Sequence, residues 1–198
     1  LGVNKTHLVG HSRGGLLVAK LALEHPDIVS SVVIVDSNTT APDSPIFPSG
    51  KFYQNLPIPP GPPTRQTIRV EPDHQSYSKD HITDQFITRM LDIALLPKFQ
   101  EAERCIRENN HSVWTPSLHR NKWEVLNTID ESGLMVPTLI VWGLNDPSAP
   151  LPLAYQIYER IALKTPIAEL NIINNAGHYC FREHPGTFNR IVRGFCSS

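Results

Sequence analysis

Long apolar runs are missing from this 198-residue chain, and with them any candidate for a bilayer-spanning helix, which takes about 20 consecutive apolar residues. An excess of either charge is missing too. Lysine and arginine total 18 against 19 acidic residues, a net charge of −1, so the chain has no electrostatic footprint for nucleic acid or an anionic membrane surface. Cysteine is scarce: Cys105, Cys180 and Cys196 are odd in number and lack metal-ligand spacing. That argues against a disulfide framework and sets the expectation of a reducing, cytoplasmic compartment. His74 and His81 stand in a polar stretch without a third ligand, so no metal site is expected. An initiating methionine is absent as well; the chain opens on Leu1.

What is present comes almost at once. Thr6 to Gly15 reads Thr-His-Leu-Val-Gly-His-Ser-Arg-Gly-Gly, an apolar strand that turns into the apolar helix Leu16 to Leu23. This is G-x-S-x-G with a strand before it and a helix after it, the setting that gives the motif its meaning. A serine forced into a strained conformation at such a turn needs neighbours without side chains, and Gly10 and Gly14 are expected to supply them. Ser12 is then the candidate nucleophile, and the N–H of Arg13, at the start of the helix, the candidate oxyanion donor. A nucleophile at this kind of turn sits in mid-sheet with earlier strands beside it. The chain is therefore expected to be the carboxyl-terminal part of a longer protein, preceded by roughly 80 residues at ordinary element lengths. Alone it should have little activity and poor solubility, because a sheet edge would be exposed.

The rest of the chain reads as α/β. Ser31 to Val35 is a β-branched run suited to a buried parallel strand, and strand, helix, strand makes a right-handed crossover. The alternation then stops. Proline is concentrated between residues 41 and 63, ending in Pro57-Ile58-Pro59-Pro60-Gly61-Pro62-Pro63, a stiff extended connection. Helices follow over Thr83 to Leu96, with Phe86, Met90 and Ala94 on one face, from Pro97, with Phe99, Ala102 and Ile106 sharing a face, and near Leu118 to Ile129. Pro137 to Trp142 and Glu169 to Ile173 are the later strands. Helices with Ala154, Ile157, Tyr158 and Ile161, and with Phe188, Ile191, Val192 and Phe195, complete the order. The expected division is a core over residues 1–37, a helical lid with its proline-rich connection over 38–130, and the returning core over 131–198.

Ser12 needs a base, and the base a carboxylate to fix its tautomer. In this fold the order is Ser, then Asp or Glu, then His. Asp36 and Asp146 both end strands; Asp146, in Trp142-Gly143-Leu144-Asn145-Asp146-Pro147, is favoured for its glycine and short reach. Nine histidines compete for the role of base. His7 is expected to pack inside the first strand, His25 and His184 adjoin prolines, and His74, His81, His111 and His119 belong to the lid and its flanks. His178 alone hangs in a small-residue loop, Asn175-Ala176-Gly177-His178, between the last strand and the last helix. His11 precedes Ser12 and is expected to line the pocket or to pack.

These residues resemble the α/β-hydrolases over essentially the whole chain, and within them the meta-cleavage product hydrolases, which split carbon-carbon bonds in 2-hydroxy-6-oxohexa-2,4-dienoates. The elbow, the Trp142 to Asp146 turn and Ala176-Gly177-His178 followed by Glu183-His184-Pro185 carry the wider likeness. The narrower one rests on Arg89, eight residues before Pro97, where that family places a lid arginine that holds the dienoate carboxylate. A guanidinium beside Phe86 and Met90 suits that task. His11 stands where Asn is frequent, and Tyr179 where Trp is frequent; both are implied at the acid-binding end. The likeness implies a Ser12-Asp146-His178 triad, a small-molecule substrate, no cofactor, and aromatic catabolism as the setting. The family's glycine-rich oxyanion loop would lie ahead of this chain. A homo-oligomer is left open. Two other functions share these residues: a carboxylesterase or lactonase with the same triad, and a non-enzymatic binding protein whose lid offers a partner an exposed apolar patch.

Overall fold

A computed structural model describes residues 2–48 and 50–197. Four parallel strands, β1 (Thr6–His11), β2 (Val29–Val35), β3 (Thr138–Gly143) and β4 (Ala168–Ile173), lie in the order β1-β2-β3-β4. Helix α1 (Arg13–Glu24) makes the first crossover, α7 (Pro152–Ala162) joins β3 to β4, and α8 (Cys180–Glu183) and α9 (Pro185–Cys196) close the chain. The register pairs Val33 with Val9 on one side and Leu139 on the other.

Side chains alternate across the sheet, and each face has its own cover. Val32, Ile34, Ile140 and Trp142 face a core built with Leu16, Ala19 and Ala22 of α1 and Leu153, Ala154, Ile157 and Ile161 of α7. Val33, Val35, Leu139 and Val141 face the other way, against Phe195 of α9 with Phe188, Ile191 and Val192 around it. The β-branched sequence of β2 and β3 is what two-sided burial requires. β1 is different. Among the described residues it pairs only with β2, and it is less buried than its composition suggests: Val9 is 50% exposed. His7, expected to be packed, is exposed and meets Ser31 Oγ at 2.7 Å.

Between β2 and β3 lie a 3-10 turn (Asn38–Thr40), α2 (Lys51–Gln54), α3 (Arg65–Gln75), α4 (Asp84–Ala94), α5 (Pro97–Glu108), a π-helical turn (Asn110–Trp114) and α6 (Thr115–Ser132). Helix α3 has no counterpart in the sequence reading. Thr64 caps it, accepting from Thr67 N at 3.2 Å while its own N–H donates to Thr67 Oγ1 at 2.8 Å, a reciprocal cap that starts the helix without an apolar stripe. The faces of α4 and α5 also depart from expectation. In α4 the buried positions are Ile87 and Ala94, not Phe86 or Met90, and α5 buries none. The corner they form exposes Met90, Ile93, Leu95, Leu96 and Phe99. Helix α6 behaves as core: Val125, Leu126 and Ile129 join the cluster that holds α1 and α7. Asp43 ties the proline-rich connection to it, accepting from Lys122 Nζ at 2.7 Å and Trp123 Nε1 at 3.2 Å. Among the described residues no helix is long and apolar enough to cross a membrane.

Candidate active site

β1 ends at His11 and α1 begins at Arg13, so Ser12 makes the turn by itself. Its backbone sits at φ 56°, ψ −126°, a conformation that costs a non-glycine residue about 1–3 kcal/mol and persists only where its surroundings over-determine it. They do so here. Ser12 N donates to Val35 O at 2.8 Å, and Ser12 O accepts from Gly15 N at 2.9 Å and Ser37 Oγ at 2.6 Å. The glycines divide the steric work differently from the motif. A Cβ on Gly10 would stand 2.2 Å from Gly14 O, and one on Gly15 2.5 Å from Ser37 Cβ, whereas one on Gly14 would meet nothing within 4 Å. Gly10 and Gly15 are the positions that must lack a side chain; Gly14 matters through its backbone.

His178 follows β4 in a loop pressed against the β3 turn. Asn145 N donates to Ala176 O at 2.8 Å, and Gly143 could carry no side chain, since its Cβ would fall 2.2 Å from Gly177 O. This close approach brings Asp146 Oδ2 within 2.6 Å of His178 Nδ1, both residues 4% exposed. The carboxylate accepts, so Nδ1 carries the proton and Nε2 is left with its lone pair. Asp146 Oδ1 accepts from Ser148 N, Ser148 Oγ and Ala149 N, at 2.8, 2.8 and 2.9 Å. Burial pushes the His178 pKa down, but the hydrogen bond and charge of Asp146 outweigh it, with Asp36 and Glu71 adding, and the net shift is upward.

Asp36 does not take the acid's place. Its Oδ1 accepts from Gly143 N at 2.7 Å, and its Oδ2 has no hydrogen-bond partner among the described residues. Burial, then the neighbouring Asp146, raises its pKa well above the carboxylate range. Its carboxyl pins the end of β3 through Gly143 N.

Ser12 and His178 open on one cavity of about 320 Å³. His11, Arg13 and Tyr179 line it from the core; Tyr53, between α2's ends, and Glu71, from α3, line it from the insertion. Ser12 Oγ makes no hydrogen bond among the described residues, an arrangement common before substrate binds. The Arg13 N–H, first in α1, also has no acceptor among them, as expected at a helix start. His11 Nε2 donates to His178 O at 2.7 Å, its ring 4.5 Å from that of His178. Burial, then His178, lowers the His11 pKa to about 4, so the ring is neutral. Burial raises the Tyr179 hydroxyl, which also stays neutral.

Arg89 is not brought to this cavity. Its side chain is 76% exposed and stands 3.9 Å from Asp92. The cause is helical phase: α4 buries Ile87 and Ala94, and a residue two places after Ile87 points nearly opposite. Two lining residues escaped the sequence reading, Tyr53 and Glu71, because the helices that carry them, α2 and α3, have no counterpart there. Gln75, at the end of α3, ties that helix to α2 and to the core: its Nε2 donates to Tyr53 Oη at 3.0 Å and Ser148 Oγ at 3.2 Å, and its carbonyl accepts from His178 N at 2.9 Å. The Thr64-Arg65-Gln66-Thr67 cap was the available signal. Among the described residues no three His, Cys, Asp or Glu side chains gather as metal ligands; His81 is committed to Ser76 Oγ at 2.8 Å and to Arg182 Nε at 3.2 Å.

Comparison with known proteins follows the same lines. A profile described as alpha/beta hydrolase fold matches residues 1–185. The chain is 24% identical to a 2-hydroxy-6-oxononadienedioate/2-hydroxy-6-oxononatrienedioate hydrolase of Pseudomonas sp, over 98% of this chain and 64% of that protein. It is 24% identical to a 2-hydroxy-6-oxo-6-phenylhexa-2,4-dienoate hydrolase of Burkholderia cepacia, over 100% of this chain and 65% of that one. The crystallised 2-hydroxy-6-oxo-6-phenylhexa-2,4-dienoate hydrolase of Rhodococcus sp. strain RHA1 has the same fold, with a TM-score of 0.72 at 18% identity, covering 100% of this chain and 66% of that chain. The chain thus spans about 64% of the length of the curated relatives it matches.

Proposed function

The chain belongs to the α/β-hydrolase fold family, and from that premise we propose that it is a serine hydrolase that cleaves a carbon-carbon bond in 2-hydroxy-6-oxo-dienoates from aromatic ring opening. The observation that carries the chemistry is the convergence of a strained Ser12 and an Asp146-oriented His178 on one cavity. The substrate class is supported by relatives named for such dienoates, aligned over nearly the whole chain.

His178, whose Nε2 carries no proton, assists conversion of the dienol to its keto tautomer. It then takes the Ser12 proton as Oγ attacks the C6 ketone. Charge on the former carbonyl oxygen is met by the Arg13 N–H at the start of α1. The C5–C6 bond breaks with its electron pair remaining on the dienoate fragment, where the charge delocalises before protonation, and the other fragment stays as an ester on Ser12. Water, deprotonated by His178, hydrolyses that ester. Among the cavity's lining residues the permanent cation is Arg13, so its guanidinium holds the dienoate carboxylate in the role the resemblance gave to Arg89.

The test mixes purified protein with the yellow 6-phenyl dienoate and, separately, with 4-nitrophenyl butyrate. Bleaching of the dienoate that falls at least about 1,000-fold in Ser12→Ala is the expected result. Ester turnover beside an unbleached dienoate overturns it and leaves the second reading, a carboxylesterase or lactonase with the same triad. The exposed position of Arg89 favours that second reading.

A further inference from the structure

Glu71 is the one carboxyl among the cavity's lining residues, and the proposed chemistry leaves it idle. Glu71 lines the cavity that holds Ser12, His178 and Arg13, and it enters no hydrogen bond or ion pair among the described residues. It is not a loose surface side chain. α3 is capped at Thr64 and fastened at Gln75 to Ser148 and the backbone of His178, so the helix that carries Glu71 is fixed beside the cavity.

We propose that Glu71 sets the charge of the substrate: the cavity accepts a dienoate with one carboxylate and an uncharged substituent on the cleaved ketone, and discriminates against one that carries a second carboxylate. This rests on the dienoate reading above and refines it. The lining residues offer one permanent cation, Arg13, while His11 and Tyr179 are neutral at pH 7. One carboxylate is matched by the guanidinium. A second has no cation left and meets Glu71 in a partly desolvated space, where like charges repel more strongly than in water. Burial already raises the Glu71 pKa against the opposing pull of His178 and Arg13. An incoming second carboxylate is therefore either repelled or forces Glu71 to take up a proton, and both weaken binding.

The experiment measures binding of two dienoates by absorbance, the 6-phenyl monoanion and the nonadienedioate dianion, to Ser12→Ala and to Ser12→Ala with Glu71→Gln. In Ser12→Ala the dianion should bind at least about tenfold more weakly than the monoanion; Glu71→Gln should bring the ratio to within about threefold by tightening the dianion alone. Equal affinities before the change, or a ratio that Glu71→Gln leaves alone, overturn the proposal. If neither dienoate binds, the dienoate reading fails, and Glu71 is judged separately by KM for 4-nitrophenyl butyrate against mono-4-nitrophenyl glutarate with Ser12 intact. Discrimination against the glutarate that collapses in Glu71→Gln keeps the charge rule; its absence, or no turnover of either ester, overturns it.

Discussion

Replacing Gly10 by alanine and Gly14 by alanine should have opposite outcomes, although the motif treats the two glycines alike. A methyl group at Gly10 would lie 2.2 Å from Gly14 O, 2.4 Å from Gly14 C and 2.7 Å from Val18 Cγ2. Two of these atoms are α1 backbone, so relief requires the helix to lift from β1 rather than a side chain to turn aside. Overpacking of this kind costs about 1–3 kcal/mol. At Gly14 the same methyl meets nothing within 4 Å, and the residue lies inside α1, where alanine is favoured over glycine by up to about 1 kcal/mol. For a domain of this size 1 kcal/mol moves Tm by about 2–4 °C. Gly10→Ala should then lose about 4–8 °C at the middle of its range, while Gly14→Ala should hold its Tm or gain slightly. The assay is thermal unfolding followed by circular dichroism. A Gly10→Ala protein as stable as the parent, or a Gly14→Ala protein that falls equally far, would refute the assignment of steric roles at the elbow.

Three further outcomes follow from the site. Asp146→Asn should lower kcat by about 1,000- to 10,000-fold, as loss of the orienting acid does in serine proteases, whereas Asp36→Asn, whose partner is Gly143 N rather than His178, should keep kcat within about tenfold; equal losses would mean the acid has been misassigned. The pH profile of kcat/KM should rise with a midpoint above 6.5, because His178 works as a neutral base and its pKa is raised; protonation below the midpoint removes the base, and a midpoint under 6.5 contradicts the environment described. Arg89→Ala should leave KM for the dienoate within about twofold, since its side chain is 76% exposed, while Arg13→Gln should raise KM about tenfold or more as a charge-assisted contact is lost; the reverse pattern would return the carboxylate to Arg89.

The core strands and the turn at Ser12 were legible in the sequence because their constraints are local. The turn at Ser12 demands a strand, small neighbours and a helix within a few residues, and the β-branched runs of β2 and β3 answer to burial on both faces. The choice between Asp36 and Asp146 was less so: both end strands, and what separates them is which one the loop at His178 reaches, a tertiary fact set by the packing of Gly143 against Gly177. Helix α3 was hidden because its residues Arg65 to Gln75 include few apolar side chains and Pro72, a breaker by local rules, although tertiary bonds from Gln75 hold it in place. Arg89 shows the opposite failure. Its spacing from Pro97 matched a family pattern, but spacing along the chain does not fix the phase of a helix whose buried face is Ile87 and Ala94.

Covalent labelling reads out whether Ser12 is a nucleophile activated by His178. The protein is incubated with an alkyl fluorophosphonate, in which serine oxygen attack on phosphorus expels fluoride, and the adduct is located by peptide mass spectrometry. A single modification is expected on the peptide that carries Ser12, absent in Ser12→Ala and strongly slowed in His178→Ala. Labelling that persists in Ser12→Ala, or no labelling at all, would contradict it.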